Sequence, residues 1–248
     1  MNIAYKMSVD IIMPAHNPDK NIEKAIESCL AQTYNKVNLT VIDDCSDKSL
    51  DYLIDMYPNI NMLKTPKNLG PGGARNFGIN NTSGDLISFL DDDDVMKPNK
   101  VALSVREFIK TPDIGMTCGN YRILVNGRLK RQFYKKPVSI TYESLMKQNL
   151  VASGSVTISR EAFLSVGGFN EKYWICEDYD MWVKISQKFP ITYIDDILYF
   201  YRIIPGGDSL TQRANIQKNH IKNLNEIKQE ARGREILNEL RSTEENPD

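Results

Sequence analysis

Leu86–Asp94 reads LISFLDDDD: five residues with the apolar, branched and aromatic character of a buried strand, followed at once by four consecutive aspartates. Four like charges in succession repel one another, and the compact state has to hold them together. Placed directly behind a buried strand, such a run calls for a cation. In an open α/β sheet the carboxyl ends of the strands border the ligand crevice, so this stretch names both an architecture and the edge where its chemistry belongs. Carboxylates are hard oxygen ligands for Mg²⁺ or Mn²⁺, and Mg²⁺ takes one or two of them and completes its shell with water and substrate phosphates. An exposed acidic turn, with Asp94 capping the next helix, is the competing reading of the same residues.

Working outward, Val9–Pro14 (VDIIMP) and Leu39–Ile42 (LTVI) read as buried strands. Between them, Asn21–Gln32 sets Ile22, Ala25, Ile26, Cys29 and Leu30 on one helical stripe. Leu50–Met56 predicts a second helix, Ile60–Leu63 a third strand, Gly72–Asn81 a helix opened by glycines, and Leu86–Leu90 a fourth strand. Pro98 starts a further helix at its favoured first position, with Val101, Val105, Phe108 and Ile109 along one face until Thr111-Pro112. This alternation predicts a mixed, mainly parallel α/β sheet with helices on both faces, closing a first half at residue 112.

After that the grammar changes. Asn126-Gly127 stands between two alternating runs in Tyr121–Phe133, the strongest short-range hairpin signal. Helices are expected near Thr141–Gln148, Glu161–Val166 and Glu177–Lys188, and strands near Ser155–Ile158 and Thr192–Tyr201, giving a smaller α+β half over 113–211. Residues 212–248 are polar with apolar positions at Leu224, Ile227, Ala231 and Leu240, which predicts a C-terminal helical tail.

With 248 residues, 41% of them hydrophobic and 25% charged, the chain can bury a core without disulfides or structural metal. A formal net charge of -1 gives no whole-chain pull toward nucleic acid, and none is expected as a partner. Cys29, Cys45, Cys118 and Cys176 are widely spaced with no C-x-x-C pair, as expected of reduced cytosolic thiols. There is no secretory leader pattern and no window near the ~18 apolar residues of a membrane span, so a cytoplasmic protein is expected. No G-x-G-x-x-G follows the first strand, where MPAHNPDK stands instead; this excludes a dinucleotide-dependent oxidoreductase. Between Asp113 and Glu143 lies no acidic residue, while Arg122, Arg128, Lys130, Arg131, Lys135 and Lys136 cluster there. That is either a solvated hairpin face or a contact for a phosphorylated acceptor or an anionic membrane surface.

Five segments in order, SVDIIMPAHN (8–17), LTVIDDCSD (39–47), KNLGPGGARNFGIN (67–80), GDLISFLDDDDVMKP (84–98) and CEDYDMW (176–182), resemble the family 2 glycosyltransferases of the GT-A fold. The resemblance implies a Rossmann-like nucleotide-sugar-binding half over 1–112 and an acceptor-binding half over 113–211. It implies an inverting, hexosyltransferase-type reaction from a nucleotide-diphosphate donor to a hydroxyl of a glycan or lipid-linked acceptor, assisted by Mn²⁺ or Mg²⁺. Polysaccharide synthesis of this type places the protein in the cytoplasm, with peripheral contact at the inner face of the membrane. A nucleotide-sugar-binding protein without turnover is the alternative.

Residue by residue, the resemblance places Pro14, Ala15, His16 and Asn17 along the nucleotide base, with His16 where relatives carry Tyr or Phe. One of Asp43 and Asp44 accepts a hydrogen bond from the base, which favours UDP because uracil offers an N–H there. Asn68 and Gly72 shape the loop of Arg75, which reaches the nucleotide. Asp91-x-Asp93 takes the place of the D-x-D motif, with Asp93 and Asp91 on the metal and with Asp91 and Asp92 toward the ribose and metal-bound water.

In Glu177-Asp178 the same resemblance makes Asp178 the catalytic base. On a helix, Asp178 and Asp180 project about 200° apart, so only one can face the acceptor. Carboxylates favoured by a helix dipole are the other reading of that cluster. Arg202 is expected on the diphosphate, and after Tyr201-Arg202 the chain continues Ile203-Ile204-Pro205-Gly206-Gly207 where relatives carry a histidine. No third protein ligand to the metal is therefore expected there, and the Gly206-Gly207 loop has the freedom of a lid. Q-x-x-R-W is absent, which points to transfer of a single sugar.

Overall fold

The computed structural model of the chain describes residues 7–130, 139–203 and 216–245. Arg131, Lys135, Lys136, the Gly206-Gly207 loop and the side chain of Leu240 lie outside what is described.

The first half alternates as its periodicity predicts: β1 (Val9–Ala15), α1 (Asn21–Leu30), β2 (Val37–Asp43), α2 (Tyr52–Met56), β3 (Asn61–Lys64), α3 (Gly70–Asn80) and β4 (Leu86–Phe89). A two-residue strand β5 (Val95–Met96) and α4 (Lys100–Lys110) complete it. The remainder is β6 (Met116–Val125), β7 (Arg128–Leu129), α5 (Tyr142–Lys147), β8 (Thr157–Ser159), α6 (Arg160–Ser165), α7 (Glu177–Ser186), β9 (Ile191–Ile203) and α8 (Ile216–Glu245). The strands form one sheet in the order β3-β2-β1-β4-β8-β6-β9-β5, with β7 paired to β6. The long ladders are parallel, β1 with β2 and β6 with β9, while β8 runs antiparallel to both β4 and β6.

The two-residue period of β1 sorts its side chains onto two cores. Val9, Ile11 and Met13 pack with Ile22, Ala25 and Ile26 of α1 and with Val101, Val105 and Phe108 of α4. Ile12 faces the other side, with Ala74 and Ile79 of α3 and Trp182 of α7. Helices therefore cover both faces.

Several boundaries shift by one or two residues from expectation, and three of the shifts are informative. α4 begins at Lys100 and not at Pro98, because Gln32 caps it from a distance: its Oε1 accepts from Val101 N at 3.1 Å while its Nε2 donates to Lys97 O at 2.9 Å. α3 begins at Gly70, whose φ of +73° suits a residue without Cβ. The strand expected near Ser155–Ile158 is present as β8, starting two residues later at Thr157 because a 3₁₀ turn, Ser153–Ser155, precedes it.

At the hairpin, Asn126 and Gly127 both have positive φ, 48° and 74°, the requirement of a type I′ turn. α8 docks through buried Ile227 and Ala231, with Leu224 partly covered. All four cysteines are free thiols. Among the described residues no helix is long and apolar enough to cross a membrane. Lys100, the first residue of α4, is fully buried and donates through Nζ to Ser88 Oγ and, at 2.8 Å, to Val156 O; burial pushes its pKa down to about 7.

Candidate active site

The carboxyl ends of β1 and β2 are tied together. Asp44 N donates to Ala15 O at 2.8 Å, and His16 Nδ1 lies 2.8 Å from Asp44 O. A carbonyl only accepts, so Nδ1 carries the imidazole proton and Nε2 is left to accept from Asn68 Nδ2 at 3.2 Å. Asp44 Oδ1 accepts from Thr65 Oγ1 at 2.8 Å and Leu69 N at 2.9 Å, pinning the loop that enters α3. Asp43 Oδ1 accepts from Ser46 N at 2.8 Å and its Oδ2 faces Lys64 Nζ at 3.5 Å. Asn17 braces the rim by accepting from Asp47 N at 2.8 Å. Pro14, Ala15, His16, Asn17, Asp43, Asp44 and Asn68 thus form one wall, with the exposed His16 ring at its lip.

Beside that wall α3 packs on the start of α7. A Cβ at Gly72 would stand 3.2 Å from Glu177 Cγ, so the glycine permits the approach. Arg75 spans the gap: Nη2 donates to Asp91 Oδ1 and Nη1 to Glu177 Oε1, each at 2.7 Å. Arg75 is only 3% exposed, and its guanidinium lies over the Phe169 ring. Burial works against its charge, and the two carboxylates more than offset that. Glu177 is pushed up to about 7 by burial and then by the neighbouring Asp178 charge.

The aspartate turn is closed by Asp94 N donating to Asp91 O at 3.1 Å. It is held from β9, where Arg202 N donates to Asp94 Oδ1 at 2.8 Å and Arg202 Nε to Asp93 O at 2.6 Å. Burial first, then mutual repulsion, raises Asp92 and Asp94 well above the usual carboxylate range and Asp93 to about 6. Asp19, which the sequence did not single out, adds its charge to that repulsion.

An all-oxygen donor set with surplus negative charge fits a hard divalent cation. Among the described residues no group of three or more His, Cys, Asp or Glu is arranged to hold a metal alone. An ion at Asp91 and Asp93 would complete its shell from water and phosphate oxygens.

Asp178 feels the Arg75 charge but has other hydrogen-bond partners. Its Oδ2 accepts from Ser153 Oγ at 3.0 Å and its Oδ1 from Tyr179 N at 2.6 Å, and burial raises its pKa. It lines a cavity of about 300 Å³ with Tyr121, Asn149, Ala152, Tyr199 and Tyr201. Asp180, on another face of α7, is fully buried and paired with Lys184. Ser153 and the tyrosines escaped the sequence reading. Tyr121 and Tyr199 are register partners on β6 and β9, a pairing that sequence spacing cannot supply. A second cavity, about 280 Å³, lies under α8 between Lys184, Gln187 and Arg234 and touches none of the predicted site residues.

Comparison with known proteins identifies the family and the fold. Residues 10–169 match the profile of Glycosyl transferase family 2. The chain is 33% identical over 225 residues to a chondroitin synthase of Escherichia coli, covering 88% of this chain but 32% of that protein. It is 31% identical over 189 residues to the Escherichia coli UDP-Glc:alpha-D-GlcNAc-diphosphoundecaprenol beta-1,3-glucosyltransferase WfgD, covering 75% of this chain and 73% of that one. The fold matches S. aureus TarS 1-349 in complex with UDP at a TM-score of 0.66 and 21% identity, over 80% of this chain and 61% of that one. It also matches the mannosyltransferase PcManGT from Pyrobaculum calidifontis in complex with GDP-Man and Mn²⁺, at a TM-score of 0.62 and 16% identity, over 79% and 57% of the two chains. The architecture is therefore the Rossmann-like GT-A fold, and with the profile spanning most of the chain, the protein belongs to glycosyl transferase family 2.

Proposed function

We propose that the chain transfers a single hexosyl group, with inversion, from a UDP-sugar to a hydroxyl of a glycan or lipid-linked acceptor. One observation carries the reading: the adjacent residues Glu177 and Asp178 have different neighbours, Glu177 bonding Arg75 beside the aspartate turn and Asp178 lining the tyrosine-rich cavity. A single turn of α7 thereby joins a donor edge to an acceptor pocket. The UDP complex of TarS and the diphosphoundecaprenol in the name of WfgD support the choice of donor and acceptor class.

In this reading residues 1–112 hold the nucleotide sugar, 113–211 the acceptor, and 212–248 form a helical tail. Pro14 to Asn17 border the base, and Asp44, whose Oδ2 has no described contact, accepts from the uracil N–H. Asp91 and Asp93 would hold Mn²⁺ or Mg²⁺, which when bound neutralises charge on the diphosphate. Asp92 serves the ribose side, and Arg202 sits at the same turn, its remaining guanidinium nitrogens, which have no hydrogen-bond partner among the described residues, directed in this reading to phosphate oxygens. Asp178 takes the proton from the acceptor hydroxyl as that oxygen attacks the anomeric carbon. The bond to the acceptor oxygen forms on one face while the bond to the diphosphate breaks on the other, which inverts the centre. The products are the glycoside, UDP and a protonated Asp178. Arg122, Arg128 and Lys130, on and after the hairpin, suit a phosphorylated acceptor at the cytoplasmic face of a membrane.

The test is release of UDP from a set of UDP-sugars in the presence of Mn²⁺ and candidate acceptors. Acceptor-dependent release is expected; tight donor binding with no release to any acceptor would replace the enzyme by a binding protein.

A further inference from the structure

Of the two tryptophans, Trp182 is fully buried and packed against Phe89 and Phe169, whereas Trp174 keeps 50% of its surface exposed. Its indole rests on Gly70. A Cβ built there would lie 3.1, 3.2 and 3.4 Å from ring atoms Cδ2, Cε2 and Cε3, near-equal distances that put Gly70 over the ring rather than at its edge. One side of the indole is therefore seated on backbone.

The seat has a definite address. Gly70 N donates to Asn68 Oδ1 at 3.0 Å, and the Asn68 amide meets the His16 ring, so one flank is the nucleotide wall. Along α3 the other flank is Gly72 against Glu177, then Arg75 on Asp91. Downstream of Trp174, Cys176 at φ 69° turns the chain into α7, whose first turn carries Asp178. If a diphosphate lies at the aspartate turn and the acceptor beside Asp178, the anomeric carbon lies between them. A donor hexose that extended from that carbon past Glu177 and Gly72 would meet Trp174.

We propose that Trp174 is a specificity-determining wall of the donor-sugar pocket, its indole packing against the C–H face of the transferred hexose. This rests on the donor-site reading above. A pyranose presents axial C–H groups on one face and hydroxyls at its rim, and a large apolar ring held firm on one side is the matching surface. UDP, lacking the hexose, does not reach it.

The test uses the full chain with Mn²⁺ and titrates UDP, UDP-glucose, UDP-galactose, UDP-N-acetylglucosamine and UDP-N-acetylgalactosamine. The part of the tryptophan emission change that Trp174→Phe removes reports Trp174, the remainder Trp182. At least one UDP-hexose is expected to shift emission to shorter wavelength beyond the effect of UDP. Trp174→Ala should weaken that UDP-hexose about 10-fold while leaving UDP affinity within about 2-fold, and Trp174→Phe should recover most of the loss. UDP-hexoses that perturb emission no more than UDP, or an Ala variant that weakens UDP and UDP-hexose equally, would overturn the proposal. Failure of the parent protein to bind UDP at all would overturn the donor-site reading itself, and this proposal with it.

Discussion

Arg75 and Asp91 stand 16 residues apart in sequence and meet at 2.7 Å, the arginine side chain 4% exposed and the aspartate 37%. The cationic end of this pair is sealed while the anionic end opens on the cleft. Arg75 therefore serves two purposes: it pins Asp91 beneath the aspartate turn and neutralises Glu177 inside the protein. Removing one partner of a buried pair typically costs ~3–5 kcal/mol, because the other charge stays behind. Arg75→Met should lower stability by about that amount in urea unfolding, and Arg75→Lys, which cannot fork to both carboxylates, by less. A Met variant as stable as the parent would mean that Arg75 is there for ligand alone.

With Mn²⁺, UDP should raise the melting temperature strongly, and with chelator only weakly, since a ligand that binds only the folded state stabilises it by mass action. Asp93→Ala should abolish the difference between the two conditions. Equal shifts with and without metal in the parent protein would remove the cation from the mechanism.

General-base catalysis is typically worth ~10²–10⁴-fold, so Asp178→Asn should lose roughly 3–5 kcal/mol of transition-state stabilisation while donor affinity survives. Single-turnover transfer measures this directly. Ser153 donates to Asp178 and lowers its pKa against the effect of burial, so Ser153→Ala should raise it. The acid limb of the kcat/KM profile should then move to higher pH, with a smaller rate loss than Asp178→Asn. Near-parent transfer by Asp178→Asn, with loss in Asp180→Asn, would reassign the base.

Lys100 has a folded-state pKa near 7 against 10.5 for the free side chain. Between those values the unfolded chain binds a proton that the folded chain does not, so this lysine makes stability rise with pH, by at most about 1.4 kcal/mol per unit. Below pH 7 both states are protonated and the contribution is flat and at its least favourable. The stability of the parent minus that of Lys100→Met should therefore climb from pH 7 to 9, measured by urea titration at each pH. A difference independent of pH would show that the buried amine keeps its proton.

The sequence carried the fold wherever burial leaves a local period. Val9, Ile11 and Met13 alternating with Ile12 is enough to specify a strand with two covered faces. It did not carry features that depend on a distant partner. The start of α4 depends on Gln32, and β5 exists only because Val95 and Met96 meet Phe200 and Tyr199. The site divides the same way. Carboxylates stood out because charge behind a strand is anomalous, whereas Tyr121, Tyr199 and Tyr201 look like ordinary strand residues until the register of β6 and β9 puts Tyr121 opposite Tyr199 and the three beside one cavity. Nothing in the order of residues says that Arg75 would meet two acids at once.

The brace from Arg202 to Asp93 and Asp94 has a consequence in time. Synthesis runs from the amino end, so the aspartates leave the ribosome well before the strand that restrains them. Until Ile191–Ile203 emerges and pairs with Val95–Met96, the acidic turn lacks its backbone clamp, and the nascent chain carries the carboxylates without their final spacing. The final geometry of the acidic turn is thus deferred until the last strand of the sheet has been made, and a chain released early would carry the ends of β1 and β2 without a braced turn beside them.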